Sequence, residues 1–238
     1  MEDDVASTPD RRGFLGQAAA MAIAPAILGK PFGFAGGDTG ESAETAAGGM
    51  SGARSRAAWD MSWVDGLAGA KHKAVFDATQ ITNGLSLGHV DLYLRGYREV
   101  YGVEERDVRA VLVIRHEAVP MFLNDAFWAK YRLGQTLRIT DPSTGASAVR
   151  NPFSAQGAKA VPEWNTIQQL RARGVAVLGC ATALRSVAGL MAAQTGQAAS
   201  VVEAEAMTSL VTGVVIMPSG IFAILRAQEA GCGYVRST

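Results

Sequence analysis

Short apolar runs alternate with segments of helical period along most of this chain. His72–Asp77 is a candidate first strand, and Asn83-Gly84 marks a turn after it. Leu87, Val90, Leu94, Tyr97 and Tyr101 then recur at helical spacing, with Gly102 suited to the position just past a helix end. Val108–Ile114 is apolar nearly throughout, the pattern of a parallel strand buried on both faces. Asn124 can cap a helix running to about Leu133, with Phe127, Trp128 and Tyr131 as its large side chains and Gly134 as its stop. Thr136–Thr140 alternates, Asp141–Gly145 reads as a turn and Ala146–Arg150 as a return strand, which predicts a β-hairpin.

A helix over Trp164–Arg173 ends at Gly174. Val175–Leu178 is a third apolar run; it stops at Gly179-Cys180. A helix follows, with Thr182 as candidate cap and Leu184, Val187, Ala188 and Met191 on one face. Glu203–Met207 reads as a short helix and Gly213–Met217 as a strand. Pro218-Ser219-Gly220 opens a helix that ends at Gly231, and Cys232–Arg236 is a last strand. Strands and helices in alternation predict an α/β three-layer sandwich around a five-stranded, mostly parallel sheet with a β-hairpin insertion. The predicted domain covers residues 58–238, with Trp59 and Trp63 as an aromatic lid or packing arm.

The preceding residues follow a different pattern. Asp10-Arg11-Arg12-Gly13-Phe14-Leu15-Gly16 leads into Gln17–Leu28, a mildly apolar, alanine-rich run. Paired arginines, Phe-Leu and a weak apolar region in that order closely resemble a twin-arginine export signal. Arg11 and Arg12 would engage the Tat translocase, with cleavage after Ala35. Residues 36–57, rich in Gly, Ala, Ser and Thr, read as a flexible linker. The expected location is periplasmic, with no stable membrane span after cleavage, because no apolar run reaches roughly 18–20 residues.

Composition narrows the function classes. The 238 residues carry 22 basic and 22 acidic side chains. That balance argues against nucleic acid, whose binding surfaces need a basic excess. His72, His89 and His116 lack metal-ligand spacing, so no metal site is expected. Asp141–Gly145 lacks the Gly-Lys-Ser/Thr ending of a phosphate loop. No cofactor is implied.

The chemistry gathers at Cys180, where a strand turns into a helix. In open parallel sheets, ligands bind outside the carboxyl ends of the strands. A helix N-terminus favours a thiolate over a thiol, and the thiolate is the nucleophile. Cys180 is therefore a candidate nucleophile, or else a small residue buried at a tight turn. Arg185, one turn into the helix, can add positive charge. His116, at the end of the neighbouring strand, is a candidate acid or base, or a histidine capping a backbone carbonyl. Arg115 could hold an anion or pair with Glu117. Asn83 could line the same crevice or simply make the turn. Trp128 and Tyr131 read as core or subunit-interface residues. Cys180 and Cys232 lie at opposite strand ends, roughly 15 Å apart at about 3.3 Å per residue, beyond the reach of a disulfide, which needs Cα atoms within about 7 Å.

Val111–His116, Trp128–Tyr131, Leu170–Val175, Cys180–Arg185, Val215–Gly220 and Leu225–Gly231 together resemble the DsrE/DsrF-like proteins, of YchN-type fold, over about residues 70–238. The resemblance implies a small α/β sandwich that forms a homo-oligomer or joins a DsrE-like partner subunit. It also implies a sulfur carrier or sulfurtransferase using a cysteine after the third strand, the position of Cys180. The alternative is a non-catalytic periplasmic module that uses the crevice to bind a small ligand or to assemble with others.

Overall fold

The computed structural model describes residues 59–141, 144–154 and 164–238. The predicted export signal with Arg11 and Arg12, the linker, and Pro142 and Ser143 of the hairpin turn lie outside the described residues.

Five strands form one sheet: β1 (His72–Ala78), β2 (Val108–Ile114), β3 (Ala176–Cys180), β4 (Val215–Met217) and β5 (Gly233–Arg236). Their order is β4-β3-β2-β1-β5, and every pairing is parallel. Period-2 alternation splits the strand residues between two cores. Phe76, Leu112, Ile114 and Val177 face helices α2 (Leu85–Tyr101), α5 (Ile167–Ala172) and α6 (Ala181–Thr195). Val75, Val111, Val113, Leu178 and Met217 face Trp63 of α1 (Ser62–Asp65) and Ala223, Ile224 and Ala227 of α8 (Gly220–Glu229). The described domain is thus an α/β three-layer sandwich. Trp63 belongs to a core and Trp59 stays exposed, so the expected aromatic arm is only half buried.

Connections from β1 to β2, β2 to β3 and β3 to β4 step across the sheet in one direction on one face. After β4 the chain reverses, and α8 crosses the opposite face to reach β5 on the far side of β1. The carboxyl ends of β3 and β4 therefore feed helices on opposite faces. That is the topological switch point where open α/β sheets form a crevice.

Local structure departs from the sequence reading in several places. Thr136 and Leu137 belong to a short helix, α4 (Leu133–Leu137), and Gly134 lies inside it rather than ending α3 (Asp125–Lys130). The predicted hairpin shrinks to one antiparallel bridge, Thr140 to Ser147, with backbone bonds on either side. Side-chain alternation over five residues could not reveal the packing that decides this. A Cβ on Gly134 would overlap the Ala148 backbone, so the helix and the returning segment touch main chain to main chain. Trp164 precedes α5 instead of starting it; Thr166 caps that helix in a capping box with Gln169. Between α6 and β4 the chain forms α7 (Ala199–Thr208), longer than expected.

Trp128 is fully buried and donates from Nε1 to the Pro120 carbonyl at 2.8 Å, so it is a core residue. Tyr131 donates to Glu205 at 2.7 Å, and Lys130 donates to the same carboxylate, tying α3 to α7. Partial burial pushes the Glu205 carboxyl up, but these hydrogen bonds outweigh it and leave it below its ordinary value of 4.5. A depressed carboxylate stabilises the fold above its unfolded pKa and loses that contribution as pH falls through the folded one. Wild type should therefore exceed Glu205→Gln by about 1 kcal/mol or less at neutral pH, the pair being partly exposed. Melting curves from pH 7 to pH 3 should show that gap closing below about pH 4.5; a constant gap would mean the pairing is electrostatically idle.

Candidate functional site

Cys180 is the last residue of β3 and pairs with Met217, the last of β4. It therefore sits at the switch point. It is also the N-cap of α6, the role expected of Thr182: the Cys180 Sγ accepts from the Ala183 N–H at 3.4 Å. Thr182 instead donates its hydroxyl to the Pro218 carbonyl at 3.1 Å, which ties the start of α6 to the end of β4. The sulfur thus faces the free N–H groups and positive end of a 15-residue helix. Cys180 is 5% exposed, yet belongs to neither hydrophobic core.

Arg115 follows β2 in extended conformation. Because Ile114 pairs with Gly179, Arg115 and Cys180 occupy the next positions on adjacent strands and share the face toward α8. Arg115 does not pair with Glu117. It reaches back to Asp77 of β1, donating from Nε at 2.7 Å and from Nη2 at 2.8 Å. Asp77 is buried and also accepts from the Tyr234 hydroxyl at 2.8 Å. Hydrogen bonding to Asp77 is the main cause holding the Arg115 guanidinium above its ordinary value; burial opposes it, and Tyr234 and Cys180 add smaller contributions. The bond to Asp77 likewise pushes the Tyr234 phenol up.

The start of α8 completes this corner. Ser219 caps the helix by accepting from the Phe222 N–H at 3.1 Å. A Cβ on Gly220 would stand 2.6 Å from Cδ of Arg115, so only glycine lets the arginine stem pass across the first turn of α8.

The other predicted residues are more dispersed. His116 is exposed, takes a positive φ of 50°, and makes no hydrogen bond among the described residues, so it neither caps a carbonyl nor bonds to Cys180. Asn83 is exposed, with φ of 52°, in the short 3-10 turn Thr82–Gly84. Arg185 is exposed on α6 and donates to Thr182 at 3.4 Å rather than to the sulfur. The structure therefore places Cys180 and Arg115 at neighbouring strand positions and leaves His116, Asn83 and Arg185 exposed, with no hydrogen bond to either.

Asp77 and Tyr234 were missed. The available signal was a carboxylate inside an otherwise apolar strand, which demands a partner once buried. Cys232, the second thiol, precedes β5, three strand steps from β3, about 14 Å at about 4.8 Å per step. Both cysteines are free, and burial pushes the Cys232 thiol up. Among the described residues no cluster of three His, Cys, Asp or Glu is arranged to hold a metal, and no helix is long and apolar enough to cross a membrane.

No protein-family model matches the chain, and no curated protein matches it. Among solved structures it is similar to the protein of unknown function MTH1491 from Methanobacterium thermoautotrophicum, at 16% identity and a TM-score of 0.38, over 69% of this chain and 98% of that one.

Proposed function

We propose that this is an exported sulfur carrier or sulfurtransferase-like protein of DsrE type, with Cys180 as the sulfur-bearing residue. The observation that carries the reading is the placement of Cys180 Sγ: it caps α6 at the sheet's switch point, with an arginine on the adjacent strand. A helix N-terminus and a neighbouring arginine are the kinds of group that favour the thiolate a sulfur carrier needs. The thiolate would attack the outer sulfur of a donor persulfide, R–S–SH. A new S–S bond forms on Cys180, the donor's S–S bond breaks, and R–S⁻ leaves with the bonding pair. The resulting Cys180 persulfide would pass its outer sulfur to an acceptor thiol by the same exchange.

Export through the Tat translocase to the periplasm is part of the proposal and rests on Arg11, Arg12 and the apolar run after them. A second copy or a DsrE-like partner subunit completes it. The outward residues Ile221, Phe222 and Leu225 of α8 support that element by offering an exposed apolar face beside the site.

The low exposure of Cys180 favours a second reading, a non-catalytic binding or assembly module in which the thiol only caps α6. Intact mass before and after incubation with a polysulfide separates the two. The expected result is a gain of whole sulfur atoms in wild type that Cys180→Ser abolishes. No gain, with Cys180 unreactive until denaturation, would retire the nucleophile and leave the crevice as a ligand pocket or interface.

A further inference from the structure

On the α8 face of the sheet, Asp77 from β1, Arg115 after β2 and Tyr234 from β5 are joined by hydrogen bonds, and Cys180 ends β3 at the strand position next to Arg115. Asp77 takes both Nε and Nη2 of Arg115, a bidentate fork that fixes the plane of the guanidinium. Tyr234 donates to one of the same carboxylate oxygens and so fixes the carboxylate in turn. The arginine stem is confined from the other side by Gly220. Nη1 makes no hydrogen bond among the described residues.

The remaining charged groups around the sulfur are few. Arg185 of α6 is engaged with Thr182. The first turn of α8 holds no acidic residue, and Arg226 further along it pairs with Glu229. The end of β4 is Met217-Pro218, without charge. His116 and Glu117, after Arg115, are exposed. Arg115 is thus the nearby cation, among the described residues, that a buried carboxylate holds by two hydrogen bonds.

We infer that Asp77 and Tyr234 are positioning residues: through hydrogen bonds to and around Arg115, they hold it at the strand position next to Cys180 and so set how readily the sulfur reacts. The inference rests on the sulfur-carrier reading of Cys180. Asp77 and Tyr234 act only through Arg115, and neither is a catalytic residue.

The test is the pH dependence of Cys180 alkylation by iodoacetamide in the full-length chain, with Cys232→Ser as background and adduct mapped by mass. Tyr234→Phe is the decisive variant. It is charge-neutral, sits at a half-exposed strand position, and removes only the hydroxyl that steadies Asp77. The inflection should move upward and the rate at pH 7 should fall about threefold, equivalent to about half a pH unit. Arg115→Met should cost about tenfold or more on the same scale. Asp77→Asn sharpens the comparison. By charge alone, deleting an anion would move the inflection down; loss of positioning moves it up. An unmoved inflection in Tyr234→Phe, or a downward move in Asp77→Asn, overturns the positioning role while leaving the thiolate reading intact. A wild-type thiol that reacts only after denaturation overturns both, and that outcome is visible before any variant is made.

Discussion

Replacing Asp77 with alanine is expected to destabilise the protein by about 3–5 kcal/mol, because the change strands a buried cation. The Asp77 and Arg115 side chains are 4% and 16% exposed, and the guanidinium donates two hydrogen bonds to that carboxylate. The Tyr234 hydroxyl loses its acceptor at the same time. For a domain of this size the loss corresponds to a fall in Tm of about 10–15 °C, readable by calorimetry. The double variant Asp77→Leu/Arg115→Met should recover most of it, since a buried ion pair seldom outperforms apolar residues of similar volume. A large loss in the single variant with recovery in the double would mean the pair is kept for something other than stability. A single-variant loss under about 1 kcal/mol would mean that Arg115 escapes to solvent and that the corner is loosely held.

Asn151→Ala should produce the second large effect, far from Cys180 in sequence and through a different mechanism. The Asn151 side chain is fully buried. Its Nδ2 donates to the carbonyls of Met121 and Leu123 at 2.7 and 2.6 Å, and its Oδ1 accepts from the Phe153 N–H at 2.8 Å. Alanine would leave three buried main-chain groups unpaired, at about 1–3 kcal/mol each. We expect a loss of about 3 kcal/mol or more and a Tm lower by about 10 °C. Asn151→Asp keeps the acceptor and loses both donors, so it should fall between wild type and alanine only if the carbonyls carry the smaller share. An alanine variant melting within 2 °C of wild type would show that water reaches this turn.

How legible these features were differs by their range. Val108–Ile114 and Val175–Leu178 stood out because a strand buried on both faces must be apolar throughout. Cys180 stood out because a glycine-thiol turn separates such a strand from a helical pattern. Thr136–Leu137 misled because alternation over a few residues fits either a strand or a short helix, and contact with Ala148 settles it. Thr182 has the usual chemistry of a cap, yet the helix begins two residues earlier than that, leaving the role to sulfur. The Asp77–Arg115 pair could not be read at all. Its partners are 38 residues apart on adjacent strands, whereas Glu117 lay two residues from Arg115 and looked nearer. Strand order, which creates the switch point, is likewise invisible to local periodicity.

The pairing of β5 with β1 also bears on how the chain reaches this fold. Tyr234 and Asp77 are 157 residues apart in sequence, and the sheet is incomplete until they meet. Closing so long a loop is slow relative to forming the local helices. Until β5 docks, Ala74, Val75 and Phe76 form the unpaired margin of an apolar strand, a template on which another chain can add. The species most prone to aggregate should therefore be a late intermediate with four strands in place, and the speed of this final docking should govern refolding yield at high concentration.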